Sequence, residues 1–247
     1  MNMIKKNKNI NEIAITLDLD WAPDFVIADV AELLKKSCVR ATWFVTHASS
    51  AVDDLRKRPD LFELGIHPNF LPGSTQGTDV DSVLDHCMSL VPDAVSYRSH
   101  SIFQCGRLYA AVLAKTPIRI DSNTFLPAWP KIKPIKHVLT EGILTRVPFF
   151  WIDDYEMCKE NPSWTYGRFQ NQPGLQVFAF HPLHIYLNSK DLTTYDELKK
   201  SVDSITSADE QCLAPFRKND AGVRTIFNEV VASAVTAGGG ALMRDFI

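Results

Sequence analysis

Short apolar, β-prone runs alternate with amphipathic segments along most of this chain, and this alternation constrains the fold more than any other feature. Apolar runs of four to eight residues are typical of buried strands, and apolar residues at intervals of three and four are typical of helices. Strands that alternate with helices favour a parallel sheet covered by helices. The predicted fold class is therefore α/β, with a largely parallel sheet that is either doubly wound or closed as a barrel.

The predicted strands lie at 13–17, 41–45, 64–67, 94–98, 118–121, 144–151 and 177–181. Predicted helices follow Pro23, lie near Ala51, and are capped by Asp79 and Asp220, with glycines 238–240 ending the last of them. Parallel strands end at one edge of the sheet, where ligands bind. Polar residues that follow the predicted strands are therefore the candidates for a functional site.

Composition predicts one domain over residues 1–247, because 45% of the residues are hydrophobic, 22% are charged and no linker divides them. A net charge of −3 argues against a nucleic-acid partner. The chain contains no apolar run of about 18 residues, so no integral membrane segment is predicted. The basic start, with Lys5, Lys6 and Lys8, is not followed by the apolar core of a signal peptide, so a cytoplasmic location is expected. The oligomeric state is not predicted.

Five cysteines occur without Cys-x-x-Cys spacing, and their odd number in a chain without an export signal favours reduced thiols. We expect them to be packing residues, with Cys38 and Cys87 on apolar faces of helices.

Two carboxylates, Asp18 and Asp20, emerge at the end of the first predicted strand, with Leu19 between them. An isolated Asp in such a place is usually a turn or helix-cap residue. A pair offers more, because one carboxylate can hold a cation while the other accepts a proton from water on that cation.

Imidazoles and one guanidinium follow three further strands. His67 precedes Pro68 at a strand end, Arg98 and His100 follow the next strand, and His181 lies three residues before His184. A histidine can act as a general acid near neutral pH or bind a metal, and Arg98 could orient a carboxylate. Each of these residues alone has an ordinary structural alternative.

Asp121 lies in the segment Ile120-Asp121-Ser122-Asn123, after another predicted strand. Taken alone, this segment is best interpreted as a strand followed by an Asx-type turn.

The order of these motifs resembles the polysaccharide deacetylase superfamily, the group with a NodB homology domain, also called carbohydrate esterase family 4. Thr16-Leu17-Asp18-Leu19-Asp20 is similar to its Thr-Phe-Asp-Asp motif, and Ala41-Thr42-Trp43-Phe44-Val45 to the strand that follows. Glu63-Leu64-Gly65-Ile66-His67, Tyr97-Arg98 and the segment around Asp121 resemble later motifs, and His181 falls where the family has its catalytic His. The resemblance covers roughly residues 13–188.

The resemblance implies a distorted (β/α) barrel and a divalent metal ion, most commonly zinc, that helps water to attack an N-acetyl group. By position, Asp18 is expected to be the general base, Arg98 its tether, and His181 the acid that protonates the leaving amine. Asp20 and His67 are expected to bind the metal. Trp21, Asn69, Asp121 and His184 are expected to contact substrate.

The sequence departs from the family in the metal motif. The family supplies a second His four residues after the first, but here that residue is Leu71. We expect His100 to be the third ligand, with Asn69 and His184 as alternatives.

Two further departures, the extra Leu19 and the His-Pro-x-His segment at 181–184, resemble a divergent branch encoded with lipopolysaccharide O-antigen genes. The expected substrate is therefore an N-acetylated sugar, free or carrier-linked, in O-antigen or capsule biosynthesis. Aromatic residues that could face a sugar ring, or belong to the core, are Trp21, Trp43, Phe70, Trp129, Trp151 and Tyr186.

Two alternative functions remain open. One is hydrolysis of another C–N bond, as in allantoinase-like and cyclic-imide relatives, because the scissile bond depends on pocket shape. The other is a catalytically inactive saccharide-binding module, which the Leu71 position favours but the retained Asp18 and His181 oppose.

Overall fold

The computed structural model describes residues 12–247, so Lys5, Lys6 and Lys8 lie outside the described residues. The strands of this range are β1 (Glu12–Asp18), β2 (Ala41–Val45), β3 (Phe62–Ile66), β4 (Ser96–Tyr97), β5 (Ile120–Asp121), β6 (Ile135–Leu139), β7 (Gly142–Arg146), β8 (Trp151–Ile152) and β9 (Leu175–Phe180). They form one nine-stranded sheet in the order β6-β7-β5-β4-β3-β2-β1-β9-β8.

Every pairing in this sheet is parallel except that of β6 with β7, which form an antiparallel hairpin. The sheet curls into a half-barrel with β6 and β8 at its two edges. The predicted α/β class and distorted barrel are therefore confirmed. The hairpin strand β6 was not predicted.

The α-helices are α1 (Asp24–Lys36), α2 (Ser50–Arg56), α3 (Val80–Leu90), α4 (Gly106–Lys115), α5 (Asp153–Met157), α6 (Pro182–Leu187), α7 (Thr193–Ser201), α8 (Glu210–Leu213) and α9 (Val223–Thr236). Asp79 caps α3 as predicted, accepting a hydrogen bond from the backbone N–H of Ser82. Asp220 does not cap α9, whose N-cap is Gly222 with a hydrogen bond from its N–H to Thr225. Helices α4 to α8 were not predicted.

The predicted strand at 144–151 is two strands, β7 and β8. Pro148 lies between them, and because proline has no backbone N–H it cannot continue a ladder of hydrogen bonds. The break turns the chain from the β5 side of the sheet to the β9 side, where Trp151 pairs with Phe178.

Successive side chains of a strand point to opposite faces, and β1 shows what each face does. Ile13, Ile15 and Leu17 join the large core between sheet and helices. Ala14 joins a smaller cluster on the inner side of the curl, and Thr16 and Asp18, in phase with it, are also buried. This alternation directs the carboxylate of Asp18 towards the inside of the half-barrel.

Gly65 permits close packing between β3 and β4. A Cβ at this position would lie 2.7 Å from the backbone oxygen of Ser96 and 2.8 Å from the ring of Phe44. The absent side chain therefore allows β4, and the Arg98 that follows it, to lie against β3.

All five cysteines are free thiols in the structure. Only Cys87 is buried, so the expectation that they serve as packing residues is wrong for the other four. Cys38 follows the end of α1 in a left-handed turn (φ 51°), which places it at the surface. Among residues 12–247, no helix combines the length and the apolar character needed to cross a membrane.

Candidate active site

The carboxyl ends of β1, β3, β4 and β9 meet around one cavity of about 510 Å³. Its walls include Asp18, Asp20, His67, Ser99, His100, Ile102, Phe125, Phe149, Ile152, Asp154, Tyr155, Cys158, His181, Leu183, His184, Leu192 and Tyr195. The sequence positions that were singled out after separate strands therefore lie together, as the geometry of a parallel sheet requires.

Asp18 and Arg98 form a buried ion pair on one side of this cavity. Arg98 Nη1 donates to Asp18 Oδ1 and to Thr16 Oγ1, both at 2.9 Å. Its Nε donates to the backbone oxygen of Ser122 and its Nη2 to the hydroxyl of that residue, again at 2.9 Å. Arg98 is thus held at four points and fixes the carboxylate of Asp18 at the cavity wall.

Aromatic rings enclose the guanidinium of Arg98. Its central carbon lies 4.8 Å from the ring centroid of Phe44 and 4.5 Å from that of Phe149. Such contacts stabilise a cation that has lost its water. The charge of Arg98 therefore acts on Asp18 from behind, without itself lining the cavity.

Asp20, His67 and His100 bring three potential ligand atoms within 4.8 Å of one another. Asp20 Oδ1 lies 3.1 Å from His67 Nε2 and 3.2 Å from His100 Nδ1. Asp20 and Trp21 have left-handed backbones (φ 41° and 56°), so the chain turns sharply after β1. This turn buries Leu19 in the core and leaves Asp20 at the cavity.

The surrounding imidazoles control the charge of Asp20. Burial alone would raise the pKa of Asp20, but hydrogen bonds from His100 and His67 hold that pKa well below its usual range. The hydrogen bond to Asp20 in turn raises the pKa of His100. The group at the cavity is thus a carboxylate flanked by two imidazoles, a donor set that suits a divalent cation.

His181 and Asp153, which follow the neighbouring strands β9 and β8, form a second buried pair at the cavity. Asp153 Oδ1 lies 2.6 Å from His181 Nδ1, and its Oδ2 accepts the backbone N–H of His181 at 2.7 Å. With Nδ1 turned to the carboxylate, Nε2 faces the cavity, 3.6 Å from Asp20 Oδ2. Burial would lower the pKa of His181, but the charge of Asp153 outweighs it and holds the pKa well above the ordinary value.

His184 also lines the cavity but has no carboxylate partner. Its Nδ1 lies 3.2 Å from the hydroxyl of Ser189, and its ring contacts those of His181 and Tyr195. Burial lowers the pKa of His184 to about 4, so this imidazole is neutral at physiological pH.

The adjacent carboxylates Asp153 and Asp154 were missed in the sequence. They follow β8 as Asp18 and Asp20 follow β1, so a pair of carboxylates after a predicted strand was the available signal. Asp153 is fully buried against His181, whereas Asp154 lines the cavity. Burial raises the pKa of Asp154.

Three predicted substrate-binding residues do not line the cavity. Trp21 is half-buried, and its ring lies edge-on to that of His100, with 5.5 Å between the ring centroids. Asn69 is engaged in its own loop, where its Oδ1 accepts the N–H of Leu71 at 3.0 Å. Asp121 is fully buried, accepts Arg146 Nε at 2.7 Å and forms the predicted Asx turn with the N–H of Asn123. Of the four residues, His184 alone borders the cavity.

The aromatic wall also differs from the expected set. Trp43, Trp151 and Tyr186 belong to the core, and Trp129 is 64% exposed. The rings that line the cavity are Phe125, Phe149, Tyr155 and Tyr195. Phe125 and Phe149 come from loops that follow β5 and β7, and Tyr155 and Tyr195 come from α5 and α7, two helices that were not predicted.

A family model and solved structures match this chain. The chain matches a WbmS-like polysaccharide deacetylase family model over residues 15–199. The structure of WbmS from Bordetella bronchiseptica, which is assigned as a polysaccharide deacetylase involved in O-antigen biosynthesis, has 31% sequence identity, covers 91% of each chain and superimposes with a TM-score of 0.77.

A 4-alpha-glucanotransferase from Thermococcus litoralis shares the fold at 10% identity, with a TM-score of 0.51 over 95% of this chain and 37% of that enzyme. Among curated proteins none matches the sequence. The family match and the WbmS structure confirm the resemblance drawn from the sequence motifs. The chain therefore belongs to the WbmS-like branch of the polysaccharide deacetylase family.

Proposed function

We propose that this protein hydrolyses the acetamide of an N-acetylated sugar in surface-polysaccharide biosynthesis, O-antigen or capsule, and depends on a divalent metal ion. One observation carries the proposal: a carboxylate held by Arg98, a cluster of potential metal ligands and an imidazole held by Asp153 border a single cavity. Amide hydrolysis needs a base, a stabilised oxyanion and an acid for the leaving amine.

The residues around Asp20 fit a divalent metal ion. One carboxylate and two imidazoles are donors that suit zinc. Within residues 12–247, the buried Nδ1 of His67 has no hydrogen-bond partner, and the other ring nitrogen, Nε2, faces Asp20. A bound ion would polarise the acetyl carbonyl and lower the pKa of a water molecule.

The chain's own residues supply the proton transfers. Asp18, fixed by Arg98, accepts the proton of the attacking water. His181 donates its Nε2 proton to the nitrogen of the departing sugar amine, and Asp153 keeps that imidazole protonated until the transfer. Hydrolysis thus yields acetate and an amino sugar.

The cavity supports a sugar as substrate. Its volume of about 510 Å³ lies within the range of small-ligand sites. Phe125, Phe149 and Tyr155 offer apolar faces of the kind that pack against a sugar ring. A cytoplasmic location is part of the proposal, and free thiols at all five cysteines suit a reducing compartment.

Elemental analysis of the purified chain tests the metal site. We expect about one divalent ion per chain, lost in Asp20→Ala, His67→Ala and His100→Ala. His86→Ala is the matched control, because this histidine of α3 is half-buried and lies outside the cavity. An unchanged metal content in His100→Ala would exclude that residue as the third ligand, and a metal-free native chain after reconstitution would remove the hydrolytic mechanism.

Product analysis tests the reaction. Acetate release from N-acetylated sugars, against hydrolysis of ureides and cyclic imides, distinguishes the proposed activity from that on another C–N bond. A saccharide-binding module would release no acetate at any protein concentration and would bind sugar equally well after Asp18→Asn.

A further inference from the structure

A second cavity, of about 240 Å³, adjoins the catalytic one. The two share Phe125 and Tyr155, whose rings meet edge-to-face with centroids 5.0 Å apart. These rings border both cavities, so the two cavities are immediate neighbours. We call the second one the adjoining cavity.

The two cavities differ in their lysine and arginine side chains. The part of the chain that the structure describes lines the catalytic cavity with three carboxylates, Asp18, Asp20 and Asp154, and with no lysine or arginine. The adjoining cavity is lined by Lys159 and Arg168, with Glu156 beneath them. Lys159 and Arg168 would attract an anionic group to the adjoining cavity.

The two cations of the adjoining cavity share one carboxylate. Lys159 Nζ and Arg168 Nη2 each lie 2.7 Å from Glu156 Oε2, and the N–H of Ser163 donates to Oε1 at 2.8 Å. The side chain of Glu156 is fully buried, whereas those of Lys159 and Arg168 are 37% and 31% exposed. Two positive charges against one negative charge leave a net positive charge at the surface of the cavity.

Aromatic rings hold both cations in place. The guanidinium carbon of Arg168 lies 4.5 Å from the ring centroid of Phe169, and Lys159 Nζ lies 5.2 Å from that of Tyr155. Arg168 binds Glu156 through Nη2, and its planar fork carries further N–H groups on Nε and Nη1. Such a fork suits the paired oxygens of a carboxylate or phosphate.

We infer that the adjoining cavity binds an anionic group of the substrate while the acetamide occupies the catalytic cavity. That group is the phosphate of a sugar carrier or the carboxylate of an acidic sugar. The inference rests on the proposed function for the placement of the acetamide. It adds that the substrate is a charged N-acetylated sugar, recognised through Lys159 and Arg168.

Equilibrium binding tests the inference without turnover. The protein is the metal-loaded Asp18→Asn variant, and the probes are an N-acetylhexosamine, its 1-phosphate and an N-acetylhexosaminuronic acid, titrated by calorimetry. We expect one of the charged sugars to bind about tenfold or more tightly than the neutral sugar, as a charge-assisted hydrogen bond contributes. Which charged sugar binds identifies the anion.

Added substitutions locate the anion. Lys159→Met and Arg168→Lys should each reduce the preference for the charged sugar about tenfold, since each alters one of the two cations. Glu156 keeps Arg168 as a cationic partner in Lys159→Met, and it keeps two cationic partners in Arg168→Lys. Thermal unfolding checks that each variant is folded. Lys133→Met is the matched control, because Lys133 is exposed and outside both cavities.

Two outcomes would overturn the inference: no preference for either charged sugar, or a preference that Lys159→Met and Arg168→Lys leave unchanged. Failure of the proposed function would look different. In that case the native enzyme would release no acetate from any of the three sugars, whatever their binding preference.

Discussion

Two neighbouring walls of the catalytic cavity, at the ends of β1 and β9, each place a buried ion of opposite charge behind a functional group. On the β1 side, Asp18 is backed by the buried cation of Arg98. On the β9 side, His181 is backed by the buried anion of Asp153. The comparison shows what a fixed opposite charge does for each group: Arg98 orients the carboxylate of Asp18, and Asp153 keeps the imidazole of His181 protonated, so that it can donate a proton.

The two walls differ in the contacts that hold their buried ions, Arg98 and Asp153. Arg98 is bound by Thr16 and by two atoms of Ser122 in addition to Asp18. Asp153 directs both carboxylate oxygens at His181, with the N–H of Asp154 as its additional contact. We therefore expect activity to decrease little when Arg98 loses one of its contacts. We expect it to decrease more when the carboxylate of Asp153 is removed.

The largest expected effect is that of Asp18→Asn, which removes the base and keeps the shape of the β1 wall. The turnover number should fall about 10³–10⁴-fold, the upper range for general base catalysis. Metal content should remain that of the native chain, since Asp18 is outside the proposed ligand set. Acetate release at saturating sugar measures the effect, and a loss below tenfold would exclude Asp18 as the base.

Asp153→Asn tests the β9 wall and should reduce turnover about 10²-fold at neutral pH. The carboxylate holds the pKa of His181 above its ordinary value, so its removal lowers that pKa and deprotonates the acid at lower pH. The alkaline limb of the pH–rate profile should then move to lower pH, and activity should partly recover on acidification. A merely structural role for Asp153 would reduce activity equally at every pH.

His184→Gln distinguishes His184 from its neighbour His181, and its expected effect is on stability. The pKa of His184 is about 4 in the folded chain and about 6.5 when unfolded, so the unfolded state binds more protons between these values. Native stability is therefore complete above pH 6.5 and is lost as pH falls towards 4, by about 2–3 kcal/mol.

The His184→Gln variant should lack this part of the pH dependence. Urea unfolding at pH 7.5 and at pH 4.5 measures it in the native and variant chains. An equal loss of stability in both chains would contradict the assignment to His184.

The parallel core of the fold was predictable because its signals are local. The strand predicted at 41–45 has the same bounds as β2, and the apolar stripe predicted from Val223 to Ala234 lies within α9. The hairpin β6 was not predictable from its pattern, because Ile135 and Val138 are 54% and 72% exposed and no buried face imposes a period.

The candidate site was less predictable where the position of a residue depends on long-range contacts. Residues at strand ends, such as His67 and His181, could be placed together because parallel strands end at one edge. Tyr195 lies beyond the last recognised motif, in a helix whose position depends on the packing of the whole domain. Asp121 shows the reverse case: its motif was recognised, but its carboxylate accepts hydrogen bonds from Arg146 and from the N–H of Asn123 and does not line the cavity.

Ser122→Ala tests how the β1 wall responds to the loss of one contact of Arg98. It has the smallest expected effect on turnover. It removes the hydroxyl that accepts Arg98 Nη2 but keeps the backbone oxygen that accepts Nε. A single hydrogen bond of this kind contributes about 1 kcal/mol, so turnover should fall no more than about fivefold. The pH–rate profile should keep its alkaline limb, because His181 and Asp153 are untouched. If Ser122→Ala instead reduced turnover as strongly as Asp153→Asn, the four contacts of Arg98 would act as one unit, and the two walls would be equally sensitive.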